Sequence, residues 1–194
     1  MYEFIKGKLV ERNPAYAIIE TGGIGYLLNI SLHTYSQLKE EEHCMLFTHL
    51  VVKEDDMQIF GFFTNDEREL FRQLISVSGV GVNTARIILS SLSPHEVSIA
   101  ISEGDAPLLQ RVKGIGLKTA QRIIIDLKDK VSRELYPHQK VGLQHNTKKE
   151  EALSGLIILG FQKMIADKAL TKIIEAEGTG LTVEQLIKHA LKVL

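Results

Sequence analysis

The sequence is poor in several things, and each shortage removes a class of function. One cysteine, Cys44, in 194 residues excludes an internal disulfide and any four-cysteine metal cluster. That usage fits a reducing, cytoplasmic setting. No long apolar run is present and the chain opens Met1-Tyr2-Glu3, so neither a signal peptide nor a membrane span is expected. The seven histidines stand at no metal-ligand spacing; each reads as a surface or packing side chain, and no metal is expected. An ATP loop is also missing. Gly116-Leu117-Lys118-Thr119 has a faint likeness to the end of one, but that loop needs adjacent Gly-Lys before Ser or Thr. The only Gly-Lys pair, Gly7-Lys8, is followed by Leu9. No cofactor and no catalytic residue is therefore assigned.

What remains is an ordinary globular composition, 44% hydrophobic and 24% charged, with room for one to three small domains. The net charge of −1 argues at first against a nucleic-acid partner, but its distribution does not. Residues 1–64 carry five basic and nine acidic side chains, net −4. Between Leu108 and Arg133 seven basic residues, Arg111, Lys113, Lys118, Arg122, Lys128, Lys130 and Arg133, face only Asp126 and Asp129, net +5. A local basic excess of this kind is the footprint of phosphate binding.

The excess lies on the second copy of a repeat. Ser78-Gly79-Val80-Gly81-Val82-Asn83-Thr84-Ala85 recurs 35 residues later as Lys113-Gly114-Ile115-Gly116-Leu117-Lys118-Thr119-Ala120. Each copy ends an apolar helix, passes through Gly-apolar-Gly and starts a second apolar helix, a pattern similar to the helix-hairpin-helix motif. The two glycines allow a turn with positive φ and leave no Cβ on the outer surface. Amides of the turn and of the next helix lack intrahelical partners and form an anion site at a positive helix end. Val80 and Ile115 are expected to point inward and pin the turn, while Ala85 and Ala120 let the helices pack closely. Such a turn holds a sugar-phosphate backbone and reads no base. The expected DNA-binding set is Gly79, Val80, Gly81, Asn83 and Thr84 in the first hairpin. In the second it is Lys113, Gly114, Ile115, Gly116, Lys118, Thr119 and Arg122.

In chain order, residues 1–63 read as β-structure. Ile5 to Arg12, Tyr16 to Glu20, Gly25 to Ser31, Cys44 to Lys53 and Met57 to Phe63 are the expected strands, with turns at Asn13-Pro14, Thr21-Gly22-Gly23 and Glu54-Asp55-Asp56. A short helix from His33 to Leu38 precedes the fourth strand, the arrangement of a five-stranded OB-like barrel. Phe60, Phe62 and Phe63 are expected in the barrel core, and Glu40-Glu41-Glu42 as a solvated run. Residues 64–136 form the tandem hairpin domain. Helix starts are marked by Thr64 with Glu67 at the capping-box offset, by Ser93-Pro94-His95-Glu96 and by Asp105-Ala106-Pro107. The last of its helices runs from Leu117 to Leu135. Residues 137–147 lose periodicity and read as a flexible linker. Residues 148–194 return to three helices, with six acidic side chains and seven lysines. The apolar face of this small bundle suits a protein partner better than phosphate. The fold class is thus α+β and multidomain.

Taken together, the barrel, the paired hairpins, the linker and a three-helix, UBA-like tail resemble the RuvA family over the whole chain. The residues that carry the likeness are Val51-Val52-Lys53-Glu54-Asp55, Gly61-Phe62, both hairpins, Glu151-Ala152-Leu153 and Leu159-Gly160-Phe161. RuvA-like proteins recognise Holliday junctions in recombination, DNA repair and the SOS response. The resemblance implies a cytoplasmic homotetramer that holds a four-way junction open on a basic face, as one tetramer or two enclosing the DNA. It also implies that ATP hydrolysis belongs to a partner motor, RuvB, and that the nuclease RuvC works beside them. Glu54 and Asp55 match an acidic pin near the junction centre, where carboxylates repel phosphates and help to part strands. Read by itself, the turn is a solvated hairpin loop. One departure stands in the first hairpin, where Asn83 replaces a lysine common in the family. Leu156, Leu159, Phe161 and Leu170 are the motor-binding candidates.

A helix-hairpin-helix repair enzyme, a glycosylase or nuclease, is the competing reading. It requires a base-sized pocket and a catalytic Asp or Lys after the hairpin. Asp126 and Asp129 stand there, but in a charged amphipathic helix with no matched pocket motif.

Overall fold

The computed structural model describes residues 2–39, 43–135, 147–178 and 180–194. The solvated run expected at Glu40–Glu42 and the expected linker, apart from Thr147, lie outside them. The chain forms two compact units, Met1–Pro137 and His138–Leu194; the expected barrel and hairpin domains are one unit.

Five strands close into a barrel in the order β1-β2-β3-β5-β4. They are β1 (Phe4–Arg12), β2 (Tyr16–Thr21), β3 (Ile24–Asn29), β4 (His43–Val52) and β5 (Met57–Phe62), with helix α1 (Leu32–Gln37) between β3 and β4. All pairs are antiparallel except β3 with β5. Alternation puts Ile5, Ala17, Ile19, Leu28 and Leu46 inside. In β1 the alternation slips by one residue at a bulge between Leu9 and Glu11, which adds the local bend that closure needs.

Strand β5 has two buried faces. Gly61 lies inward, where a Cβ would come within 3.0 Å of both Leu28 and Leu46. Phe60 and Phe62 lie on the opposite face, against the helices. This corrects the expected barrel core: their rings pack on Phe71 at centroid distances of 5.2 and 4.9 Å, and Phe63 is exposed. The helices are α2 (Asn65–Ser76), α3 (Val82–Ser91), α4 (Pro94–Glu103), α5 (Ala106–Gln110) and α6 (Leu117–Leu135). Their core runs from Phe71 and Leu74 through Ile88, Leu89 and Ile101 to Ile123 and Leu127.

Polar bonds fasten the helices to the barrel. Glu67 is fully buried and accepts hydrogen bonds from Ser31 Oγ at 2.5 Å and Thr34 Oγ1 at 2.7 Å. The expected capping box at Thr64 is therefore half made: Thr64 Oγ1 accepts from the Glu67 amide at 3.2 Å, but the Glu67 carboxylate serves the barrel joint instead. At Ser93 and Glu96 the box is complete. Arg68, buried, donates to the Glu3 carbonyl at 2.9 Å and pairs with the Glu3 carboxylate at 2.5 Å. Arg86 of α3 donates to Asn29 Oδ1 at 3.1 Å.

The second unit holds α7 (Thr147–Ile158), α8 (Lys163–Glu177) and α9 (Val183–Ala190). Thr147 thus begins a helix rather than ending the linker. Ala152, Leu156, Ala166, Leu170 and Leu186 form its core, and Thr182 with Gln185 makes a complete capping box on α9.

Two outcomes are expected from this packing. Phe71→Ala should destabilise the first unit by about 3–5 kcal/mol, read as a lower urea midpoint. The His49 ring lies edge-on to Phe71 at 5.6 Å with Nδ1 buried and unpartnered. Burial, then Arg72 and Arg68, lower its pKa from the usual 6.5. The unfolded chain therefore takes up this proton first, and His49's contribution to stability is full above pH 6.5 and lost as pH falls through the lower folded value. His49→Gln should flatten the stability–pH curve over that window, measured by urea melts at stepped pH.

Candidate nucleic-acid interface

The internal repeat extends to individual backbone bonds. In the first hairpin Val80 N–H donates to the Val77 carbonyl at 3.0 Å and Ala85 N–H to the Gly81 carbonyl at 2.9 Å. In the second, Ile115 N–H donates to Val112 at 3.0 Å and Ala120 N–H to Gly116 at 3.0 Å. Only the first glycine of each copy is left-handed: Gly79 has φ +90° and Gly114 φ +91°. Gly81 sits at φ −86°, so the positive φ of the turn comes from the first glycine alone. What all four share is outward space. A Cβ on Gly79, Gly81, Gly114 or Gly116 would meet nothing within 4 Å, so these glycines leave room for something outside the chain.

Val80 and Ile115 are buried. They pin the turns as expected, and any contact they make with a ligand is through the backbone alone. After each turn a helix starts without a side-chain cap. Gly81 at the start of α3 has none to offer, and Gly116 stands in the same place before α6. By contrast Ser31, Thr64, Ser93, Asp105 and Thr182 all cap the helices they begin. The amides of residues 82–84 and 117–119 precede the first helical bond of each helix, made by Ala85 and Ala120, an arrangement suited to an anion.

Side-chain charge is uneven between the copies. Lys113, Lys118 and Arg122 are exposed around the second hairpin, as is Arg111. Around the first, Asn83 is exposed and Thr84 is half-buried, as is Thr119 in the second. Arg122 does more than add charge. From α6 its Nη1 donates to the Ser78 carbonyl of the first hairpin at 3.2 Å. Nothing in the spacing signals this cross-link, because the repeat relates Arg122 to Ile87, not to Ser78.

The acidic turn closes the β4–β5 hairpin. Lys53 N–H donates to the Asp56 carbonyl at 2.8 Å, and Asp56 accepts from Gln58 Nε2 at 2.5 Å. Glu54 and Asp55 are exposed at the tip. Below them Val52 and Met57, paired across the strands, are also exposed. A separate groove runs between α1, α2 and α4, lined by His33, Asp66, Glu69, Leu70, Pro94 and His95. Neither Asp126 nor Asp129 lines it; both are exposed on α6. No group of three or more His, Cys, Asp or Glu side chains among the described residues could hold a metal ion.

In the second unit two of the four motor-binding candidates need correction. Leu156 and Leu170 are fully buried, because they occupy the positions where α7 and α8 face the bundle core. Phe161 is half-buried against that core. Leu159 is exposed, with Ile158, Met164 and Ile165. The sequence reading missed Ile158, Met164 and Ile165 as surface residues, since apolar residues at a helix end have the same pattern whether covered or not.

Three family models match the chain in order: RuvA N terminal domain over residues 1–61, SAM-like helix-hairpin-helix tandem over 71–129, and RuvA, C-terminal domain over 147–194. Among curated relatives is the Holliday junction branch migration complex subunit RuvA of Christiangramia forsetii, 53% identical over 194 residues and covering 100% of both chains. The subunit of the same name from Flavobacterium psychrophilum is 50% identical over 99% of each chain. That of Porphyromonas gingivalis is 43% identical over 100% of each. With the barrel, the two uncapped hairpins and the three-helix unit in the same order as these matches, the chain belongs to the RuvA family.

Proposed function

We propose that this chain is the DNA-holding subunit of a Holliday-junction branch migration complex, active in recombination and repair and itself without catalysis. The observation that carries this is the pair of uncapped, glycine-surfaced hairpins with matching turn bonds and left-handed glycines, one bearing the basic excess. They suit two phosphates of a backbone and make no provision for reading bases. A homotetramer around four arms would present this face to each arm. RuvB would supply ATP hydrolysis, RuvC would resolve the junction, and the setting would be the cytoplasm. The repair-enzyme reading is not favoured: full-length relatives are named as branch migration subunits, and the carboxylates it needs stand exposed away from the groove.

The deciding experiment is a gel shift of four-way junction, plain duplex and single strand at one salt concentration, with the junction expected to bind tightest. Equal affinity for duplex and junction, or cleavage of either DNA, would sink the proposal. The glycines separate fold from function. Gly79→Ala forces a side chain into left-handed backbone, which costs about 1–2 kcal/mol, and should lower both stability and binding. Gly81→Ala has ordinary φ and free space, so its melting curve should stay put while junction binding falls for all base sequences alike. Lys118→Ala should make log K against log salt shallower by about one unit.

The acidic turn is assigned to structure selection. Glu54→Gln with Asp55→Asn removes repulsion of phosphate, so duplex binding should rise and the junction-to-duplex ratio fall. An unchanged ratio would leave the turn a plain loop. The second unit is assigned to motor docking through Leu159 and its exposed neighbours. Leu159→Asp with Ile158→Asp should leave junction binding intact and abolish stimulation of the RuvB ATPase; full stimulation by that variant would refute the assignment.

A further inference from the structure

The two hairpins share a backbone but not a charge. From Gln73 to Ala85 the first copy has no basic side chain, whereas Leu108 to Ala120 in the second holds Arg111, Lys113 and Lys118. The next residue of the first copy, Arg86, is committed elsewhere, to Asn29 Oδ1 at 3.1 Å and to the Ala15 carbonyl at 3.4 Å. The first hairpin also exposes a carbonyl, that of Ser78, immediately before its Gly79 turn. An outward carbonyl beside an anion site repels the anion. Arg122 meets that carbonyl from α6 at 3.2 Å. A guanidinium has five donors; this contact uses one, and the side chain is exposed.

We propose that Arg122 is a positioning residue that couples the two hairpins: it holds the first turn through Ser78, masks that carbonyl and lends the neutral hairpin a positive charge. This rests on the reading of the hairpins as backbone-phosphate sites, and deepens it. The first hairpin then grips phosphate with amides, Asn83 and a borrowed guanidinium. Lys118, by contrast, acts on its own hairpin alone. The consequence is asymmetric. Removing Arg122 affects the shape of a turn in the other copy, in the absence of DNA, and removing Lys118 does not.

The test starts with hydrogen exchange in the full-length, DNA-free protein. Arg122→Ala should speed exchange of the hydrogen-bonded turn amides of Val80 and Ala85 by about three- to tenfold, the factor lost with one ordinary hydrogen bond. Exchange in the α6 core around Ile123 and Leu127 should not change. Arg122→Lys, which keeps a charge and a donor, should restore most of the protection, and Lys118→Ala should leave it as in the parent. A gel-shift cycle gives the second readout. Asn83→Lys should recover more junction affinity on the Arg122→Ala background than it adds to the parent, and only its parental gain on Lys118→Ala. Unchanged exchange at Val80 and Ala85 in Arg122→Ala, or full additivity with Asn83→Lys, overturns the coupling. Failure of the parent protein to prefer junctions would instead overturn the functional reading, and the exchange result would still decide the coupling.

Discussion

The interaction on which the first unit depends is the joint between barrel and helices, centred on Glu67 and Phe71. A buried carboxylate is costly unless its oxygens are hydrogen-bonded, and both Glu67 oxygens are, by Ser31 and Thr34. Beside it Phe71 fills the space against Phe60, Phe62 and His49. The apolar contact supplies most of the favourable free energy, and the directional bonds select one orientation. Because β5 leads from the acidic turn straight into α2 and the first hairpin, this joint turns barrel and hairpins into one body. In the proposed function the acidic tip and the hairpin surface would then act on one DNA without a hinge between them. Arg68 with Glu3 and Arg86 with Asn29 reinforce the joint from two other helix positions.

Within that body the duplicated hairpin is a case of equal backbone and unequal side chains. The equal part is what amides need: a left-handed glycine, a buried aliphatic pin and an uncapped helix start. In the proposed function the unequal part would decide how binding responds to salt. Charged contacts release counterions and amide contacts add little to that term, so the second hairpin would govern the salt dependence. The first would contribute through geometry, with Arg122, bonded to the Ser78 carbonyl, as the proposed link between them.

The second unit follows different physics. Its core consists largely of alanine and leucine, small enough that Gly155 approaches Ile187 to 3.0 Å from where a Cβ would lie. So small a bundle cannot bury every aliphatic side chain it has. Ile158, Leu159, Met164 and Ile165 remain outside. A near-neutral surface with exposed aliphatic groups favours protein over phosphate, which is why protein docking is proposed for this unit.

The local order of the chain was set by its sequence alone. The repeat spacing of 35 residues gave both hairpins, because glycine and a buried aliphatic residue are local requirements of the turn. Helix α6 was legible from end to end, and the Ser93–Glu96 cap formed as its pattern implies, because these bonds close within one turn. Strand ends shifted by a residue or two, where pairing partners decide. What local pattern could not decide was the partner of a side chain when two were in reach. Glu67 has the same offset from Thr64 as Glu96 from Ser93, yet its carboxylate turns to Ser31 and Thr34, which only the folded barrel brings near. Phe60 and Phe62 are equally apolar toward either side of β5; Gly61 and Phe71 chose the side. Leu156 lies on α7 and Leu159 one residue past its end, and only the packing of α8 and α9 buries the first and leaves the second exposed. Arg122 reads as one more phosphate-facing cation until α6 lies beside the first hairpin. Contacts between distant segments, not local propensity, gave these residues their roles.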